Sequence, residues 1–501
     1  MIDASFAARS YHLLIAGELV LGASTFDVIN PATAGVITAC PRADRVQLDR
    51  AVGAAKAAFG GWAATQLADR RKLLLRLAEA LDARVDDMAR LLTLEQGKPL
   101  AQSRRELGRS VDMIRALSAL DLSIEVLKES PTERILRQYL PLGVVAAITP
   151  WNSPMLLLMV KVAPALLAGN TVVIKPAPTT PLTTLRFGEL CAPIFPPGVV
   201  NIITDQNDLG DVLTRHPDVA KVAFTGSTAT GRKVMAAAAG TLKRLTVELG
   251  GNDAAIVLDD VDPRLVAPKI FNGAMVNCGQ VCFAIKRVYA HRTVYDSLCN
   301  ELARLADAAV VDDGEKDGTQ IGPVQNEAQF ERLKRLLEDT RVHGRIIAGG
   351  APIDRAGFFI RPTIVRDISD DARLVREEQF GPILPVLSYV DLDETIARVN
   401  QGEYGLGGTV WSADERRAQE VALKLHVGVV WINKHLDLPM DVPVQGAKQS
   451  GFGAEMGEEG LREFTQPKII NMAMSPNAAS PVRLGAVAVR AFRRSLRRTS
   501  A

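Results

Sequence analysis

Between Gly143 and Thr225 the chain repeats one texture: a short, largely apolar run, then a stretch of helical spacing. The runs Val144–Ile148, Thr171–Ile174, Val199–Ile203 and Ala220–Phe224 are too short for helices and rich in Val and Ile. Strands without a polar face have both sides buried, so these runs predict a mostly parallel sheet covered by helices on both faces. The texture resumes after Gly250. There Ala254–Leu258, Arg287–Ala290, Gly408–Trp411 and Gly428–Ile432 read as strands, and Arg292–Val310, Asn326–Val342 and Asp414–Leu425 as helices. Two α/β bodies follow, with a seam near Glu248–Gly251. Upstream, Leu74, Leu77, Leu81, Val85, Met88, Leu91 and Leu92 keep helical spacing across Ala68–Leu94. Ser123–Pro141 alternates charged and apolar residues around a turn at Ser130-Pro131 and reads as an extended arm or hairpin.

A chain of 501 residues exceeds what one core fills, in keeping with two or three domains. With 47% apolar and 23% charged residues it is no wholly disordered chain. The formal charge of +2 gives no bulk attraction for nucleic acid, and no nucleic-acid partner is expected. Five cysteines, an odd and sparse set, suit a reducing cytosol better than a disulfide scaffold, so the expected location is cytoplasmic. The opening MIDASFAARS carries an early acid and no apolar core, unlike a secretory signal. Leu142–Val160 holds 19 residues without a formal charge. Pro150, Asn152 and Pro154 interrupt it, which predicts strand, loop and helix instead of a membrane span.

Four segments could carry chemistry. In Asn277-Cys278-Gly279-Gln280-Val281-Cys282-Phe283 a cysteine reads as an inert core thiol, as half of a metal pair, or as a nucleophile. No second cysteine or histidine pair completes a metal site, and no metal is expected. Thr149-Pro150-Trp151-Asn152 follows an apolar strand. Its Asn is either a turn residue or an amide donor aimed at a developing oxyanion. Glu248, between Val247 and Leu249 and before two glycines, is a structural acid or a general base whose apolar neighbours raise its pKa. Thr225-Gly226-Ser227-Thr228 is a helix N-cap or a pyrophosphate turn.

Together these segments resemble the aldehyde dehydrogenase superfamily, from about Asn30-Pro31 to Pro467. Supporting pieces are Glu95-Gln96-Gly97-Lys98-Pro99, Ile174-Lys175-Pro176-Ala177, Glu377-Glu378-Gln379-Phe380-Gly381-Pro382, Trp431-Ile432-Asn433 and Lys448-Gln449-Ser450-Gly451. The resemblance implies an α/β fold with a Rossmann-like cofactor domain (1–122 and 142–250) and a catalytic domain (251–450). It also implies an oligomerisation arm (123–141 and 466–474), and hence a homodimer or homotetramer. It makes Cys282 the nucleophile, Glu248 the base that activates the deacylating water, and Asn152, with the Cys282 N–H, the oxyanion holder. Lys161 and Glu455 match a proton path near the base. Lys175 matches the adenosine-ribose lysine and Glu378 the nicotinamide-ribose acid. Gly226 and Ser227 match the pyrophosphate turn, while Thr149, Trp151 and Phe380 fall in the cofactor cleft.

The implied reaction is oxidation of an aldehyde to its acid through a cysteine thiohemiacetal and thioester, with NAD as cofactor. A CoA-acylating dehydrogenase and a non-catalytic relative are the alternatives, and the presence of Glu248, Cys282 and Asn152 speaks against both. The sequence also departs from the family. Pro178 stands where many NAD-preferring members carry Glu, which predicts that NADP is tolerated. Pro443-Val444-Gln445-Gly446 and Gly453-Ala454-Glu455 lack the usual Phe and Arg. Met155, Leu156, Leu157, Met159, Val160, Val281 and Phe283 suggest an apolar or aromatic aldehyde, although Lys434, His435 and Asp437 could hold a polar tail.

After Asn471–Pro481, which reads as a linker, residues 478–501 form a basic tail. On a helix, Leu484, Val487, Ala488, Ala491, Phe492 and Ser495 share one face, with six arginines opposite or at its margins. This pattern fits an anionic membrane surface, docking on an acidic patch of the same oligomer, or no docking at all.

Overall fold

The computed structural model describes residues 9–474. Two sheets organise it. The first has the strand order Glu18–Val20, Leu13–Ile15, Val200–Ile202, Thr171–Lys175, Val144–Ile148, Val219–Thr225, Arg244–Glu248, Gly451–Phe452. Its five central strands run parallel, and the outer pairings are antiparallel. The second sheet has the order Arg345–Ala348, Thr363–Arg366, Ile383–Tyr389, Ile285–His291, Asp253–Val257, Gly407–Trp411, Val429–Ile432. It is parallel except at its first pair. The apolar runs thus became strands buried on both faces, as their composition requires. The chain crosses from Glu248, in the first sheet, to Asp253, in the second, in four residues.

The uncharged stretch 142–160 is strand, loop and helix. The helix Pro154–Ala168 starts on a proline, whose missing N–H costs nothing at a first turn, and stops at Gly169 in the left-handed conformation. Among the described residues no helix is long and apolar enough to cross a membrane. The helical spacing of 68–94 resolves into two helices, Leu67–Asp82 and Val85–Gln96, separated at Ala83-Arg84. An apolar stripe continues across such a break, so periodicity alone does not reveal it. The edge strands Leu13–Ile15 and Glu18–Val20 and the hairpin Ser24–Asn30/Gly35–Arg42 were not foreseen, although Leu13–Ile15 is itself a short buried apolar run.

The segment 123–141 supplies strands Glu125–Glu129 and Glu133–Pro141, and the latter pairs antiparallel with Thr465–Ala473 from Thr465↔Pro141 to Ala473↔Glu133. Asn471–Ala473, read as the start of a linker, belongs to that strand. The tail 478–501 lies outside the described residues.

Each sheet has its own core, yet the cores meet at one place. Phe283 and Leu406, from the second sheet's connections, and Trp431, from its edge strand, are buried in the first core, with Val281 and Cys282 packed beside them. Burying a ring such as Phe283 stabilises this seam by about 2 kcal/mol.

Candidate active site

Parallel strands present their carboxyl ends to ligands, and the first sheet places Trp151-Asn152 and Glu248 at two such ends. Cys282 arrives from the second body. Helix Pro263–Met275 ends in a turn where Asn277, Cys278 and Gly279 are all left-handed, with φ 51, 58 and 70°. A side chain at Gly279 would strike the Gly381 carbonyl. Cysteine pays for this conformation only where its surroundings hold it. Here Gln280 Nε2 donates to the Asn277 carbonyl (2.9 Å) and Asn277 Nδ2 to the Asn152 carbonyl (2.9 Å). The turn buries Cys278 in the second core and leaves Cys282, which is partly exposed, on the wall of a cleft.

Asn152 is fixed from three directions. Its backbone carbonyl accepts from Asn277 and from Lys98 Nζ (2.7 Å), which is itself paired with the buried Glu106. Its side-chain amide donates to the Gln280 carbonyl at 3.0 Å. An amide nitrogen has two protons, so one remains to donate into the cleft that Asn152 lines.

Glu248 is buried, and neither carboxylate oxygen has a well-formed hydrogen bond. Burial is the main cause that pushes its pKa up to about 8. The Glu455 carboxylate adds to this, while the Cys282 thiol and Lys161 oppose it. Burial likewise pushes the Cys282 thiol well up, Glu248 reinforces this, and the Lys286 ammonium opposes it. Lys161 Nζ donates to Thr225 Oγ1 and pairs with Glu455 Oε1, both at 2.6 Å. Lys161 and Glu455 therefore act on the base as a fixed pair of charges behind it.

The cleft has a volume of about 1100 Å³. Trp151, Gly226, Ser227, Glu378 and Phe380 line it together with Asn152, Glu248 and Cys282. Trp151 and Phe380 meet edge to face at 5.2 Å. Ser227 Oγ caps the helix Thr228–Ala238, which leaves backbone N–H groups and the helix dipole to meet an anion. Glu378 accepts from the Gly251 N–H at 3.0 Å, and a Cβ at Gly251 would come within 2.7 Å of the Cys282 carbonyl, so glycine alone fits there. An aromatic wall, an open helix N-terminus and a carboxylate suit the nicotinamide and pyrophosphate of a dinucleotide. Thr149 and Lys175 are not on these walls. Thr149 Oγ1 is buried without a partner, and Lys175 forms a buried ion pair with Asp205 at 2.6 Å.

The substrate side is less as expected. Met155, Met159 and Val160 are core residues, whereas Leu156, Val281, Leu436, Leu438 and Met440 are half-buried around the same core. Phe283, Trp431 and His435 form an aromatic row next to the nucleophile. His435 Nε2 donates to the Phe283 carbonyl at 2.7 Å, and burial pushes its pKa down to about 4, so the ring is neutral. Lys434 and Asp437 pair with each other.

Two polar residues escaped the sequence reading. Asp205 lies three residues past the strand Val200–Ile202, which neighbours that of Lys175, a partnership set by strand order, which no local spacing encodes. Lys286 is buried in the strand Ile285–His291. Two adjacent cations, Lys286 and Arg287, in a strand buried along most of its length were the available signal.

A family model described as the aldehyde dehydrogenase family matches residues 20–470. The putative aldehyde dehydrogenase FUS7 of Gibberella moniliformis is 38% identical over 92% of this chain and 98% of its own. The phenylacetaldehyde dehydrogenase of Pseudomonas fluorescens is 38% identical over 92% of this chain and 96% of its own. A betaine aldehyde dehydrogenase of Staphylococcus aureus, solved with NAD+, is 32% identical and superimposes with a TM-score of 0.90, covering 95% of this chain and 100% of its own.

Proposed function

The chain belongs to the aldehyde dehydrogenase family, and we propose that Cys282, Glu248 and Asn152 carry its reaction. It is an NAD(P)-dependent enzyme that oxidises an aldehyde to its carboxylic acid. The observation that carries the assignment is the meeting of these three side chains, from two separate sheets, on one cleft wall.

Cys282 Sγ adds to the aldehyde carbon, and the new oxyanion takes hydrogen bonds from Asn152 Nδ2 and the Cys282 N–H. The dinucleotide, when bound, supplies the hydride acceptor that converts the thiohemiacetal on Cys282 to a thioester. Trp151, Phe380, Glu378 and the helix start at Gly226–Ser227 would hold it, with Thr149 and Lys175 behind them. Glu248 then takes a proton from water. The hydroxide attacks the thioester carbon, the acid leaves, and the thiol is restored. Lys161 and Glu455 hold the charge balance behind the base. A carboxylate with two unpartnered oxygens suits a water-activating role and speaks against a CoA-acylating route.

The substrate reading is an apolar or aromatic aldehyde. The ring row of Phe283, Trp431 and His435 supports it, as does the mutual neutralisation of Lys434 and Asp437. Residues 1–122 with 142–250 act as the cofactor domain and 251–450 as the catalytic domain. The arm joins subunits of a dimer or tetramer in the cytoplasm, because a three-stranded arm with an open edge gains most by pairing. The basic tail adds a reversible contact with anionic membranes, a reading that rests on its amphipathic sequence alone.

The test of the catalytic assignment is Cys282→Ser, expected to abolish turnover while cofactor binding persists, since an alkoxide is far scarcer than a thiolate. Loss of activity in Cys278→Ser with retention in Cys282→Ser would reverse the assignment.

A further inference from the structure

We propose that Lys286 is the positioning residue of the nucleophile: it holds the Val281–Ala284 turn and supplies the positive charge beside which the Cys282 thiolate forms. The inference rests on Cys282 being the nucleophile.

Lys286 is among the largest fully buried side chains of the protein, at 1% exposure. A buried ammonium needs hydrogen bonds for its three N–H donors and a counter-charge. The donors go to three carbonyls of one turn: Val281 at 2.9 Å, Cys282 at 2.6 Å and Ala284 at 3.4 Å. The counter-charge is Glu378, whose Oε1 lies 3.6 Å from Nζ. One side chain therefore grips the residue before the nucleophile, the nucleophile itself and the residue two beyond it.

Two consequences follow. A peptide group is planar and trans, so its N–H points opposite to its carbonyl. Drawing the Val281 carbonyl onto Lys286 turns the Cys282 N–H away from the lysine, which fixes the direction of the backbone oxyanion donor. The second consequence is electrostatic. The charged groups that act on the Cys282 thiol are Glu248 from the strand Arg244–Glu248, Glu378 from the loop after Arg376, and Lys286 from the strand Ile285–His291. Asp253, at the start of its own strand, faces Lys286. Lys161 and Glu455 act through Glu248. Of those that act directly on the thiol, two are acids that oppose ionisation, and Lys286 is the cation that favours it. Removing that cation leaves the opposing effect of Glu248 and Glu378 in place.

The experiment is alkylation of the full-length enzyme by iodoacetamide as a function of pH, without substrate, in wild type, Lys286→Met, Lys286→Gln and Lys286→Arg. Cys40, Cys191, Cys278 and Cys299 are buried, and Cys282→Ser provides the blank. The expected result is a rise of about one pH unit or more in the midpoint for the Met variant, equal to about tenfold slower alkylation below it. Gln, which keeps donors but no charge, should show the same rise. Arg should restore the midpoint, but its planar fork cannot serve the same three carbonyls. Its kcat should therefore stay low while KM for the cofactor holds. An unchanged midpoint in either folded uncharged variant, judged by circular dichroism, overturns the proposal. Rapid alkylation that persists in Cys282→Ser would instead overturn the choice of nucleophile.

Discussion

Replacing Glu248 by Gln removes the base but keeps the shape, and its effect can be worked out from the site. Burial pushes the Glu248 pKa up to about 8, so its ionised fraction at pH 7 is about one tenth, rising to about nine tenths at pH 9. Only the ionised form can take a proton from water. The hydrolytic step in the wild type should therefore accelerate about ninefold between pH 7 and 9, with a midpoint near 8. The Gln variant should lose this rise together with a factor of about 10² to 10⁴ in the hydrolytic rate. Rapid-mixing kinetics separate the steps. With Gln, one equivalent of reduced cofactor per active site should appear in a burst, followed by a slow phase that is flat with pH. Because Glu455 is the second cause of the raised pKa, Glu455→Gln should move the wild-type midpoint to lower pH. A wild-type slow phase that is flat from pH 6 to 9 would refute the electrostatic reasoning. Disappearance of the burst along with the slow phase in Glu248→Gln would place the residue before thioester formation.

Three further expectations concern the cofactor and the tail. With Pro178 in place of an acid, NAD should be preferred over NADP by less than about a thousandfold in kcat/KM. Asp205→Asn should raise relative NADP use by freeing Lys175 from its ion pair; an unchanged ratio would remove Asp205 from the account. Truncation after Asn477 should abolish salt-sensitive sedimentation with anionic liposomes while turnover stays intact, and equal sedimentation of both proteins would dismiss membrane contact.

Reading the sequence succeeded where one residue type has a single structural use. Apolar runs such as Val144–Ile148 have no stable place except inside a covered sheet, and the arm strand Glu133–Pro141 was visible as alternation. Cys282, Glu248 and Asn152 each had a plain structural reading when taken alone, and only the order of the family-like segments around them singled them out; the fold brings all three to one cleft. Their supporting residues were not legible. Lys98 reaches the Asn152 carbonyl across 54 positions, and Asp205 meets Lys175 only because two parallel strands align. Lys286 was hidden for another reason: its partners are backbone carbonyls, which every sequence has. At Ser227 the two readings of one motif do not compete, since its side chain caps a helix whose start lines the cleft.

The four-residue crossing between Glu248 and Asp253 is a short tether between the two sheets. The base stands at its start, and Gly251, which a side chain would drive into the Cys282 carbonyl, lies within it. Arg373, Arg376 and Glu403 line the same cleft as the base and the nucleophile. The short crossing thus ties the base, in chain length, to the body that carries the nucleophile.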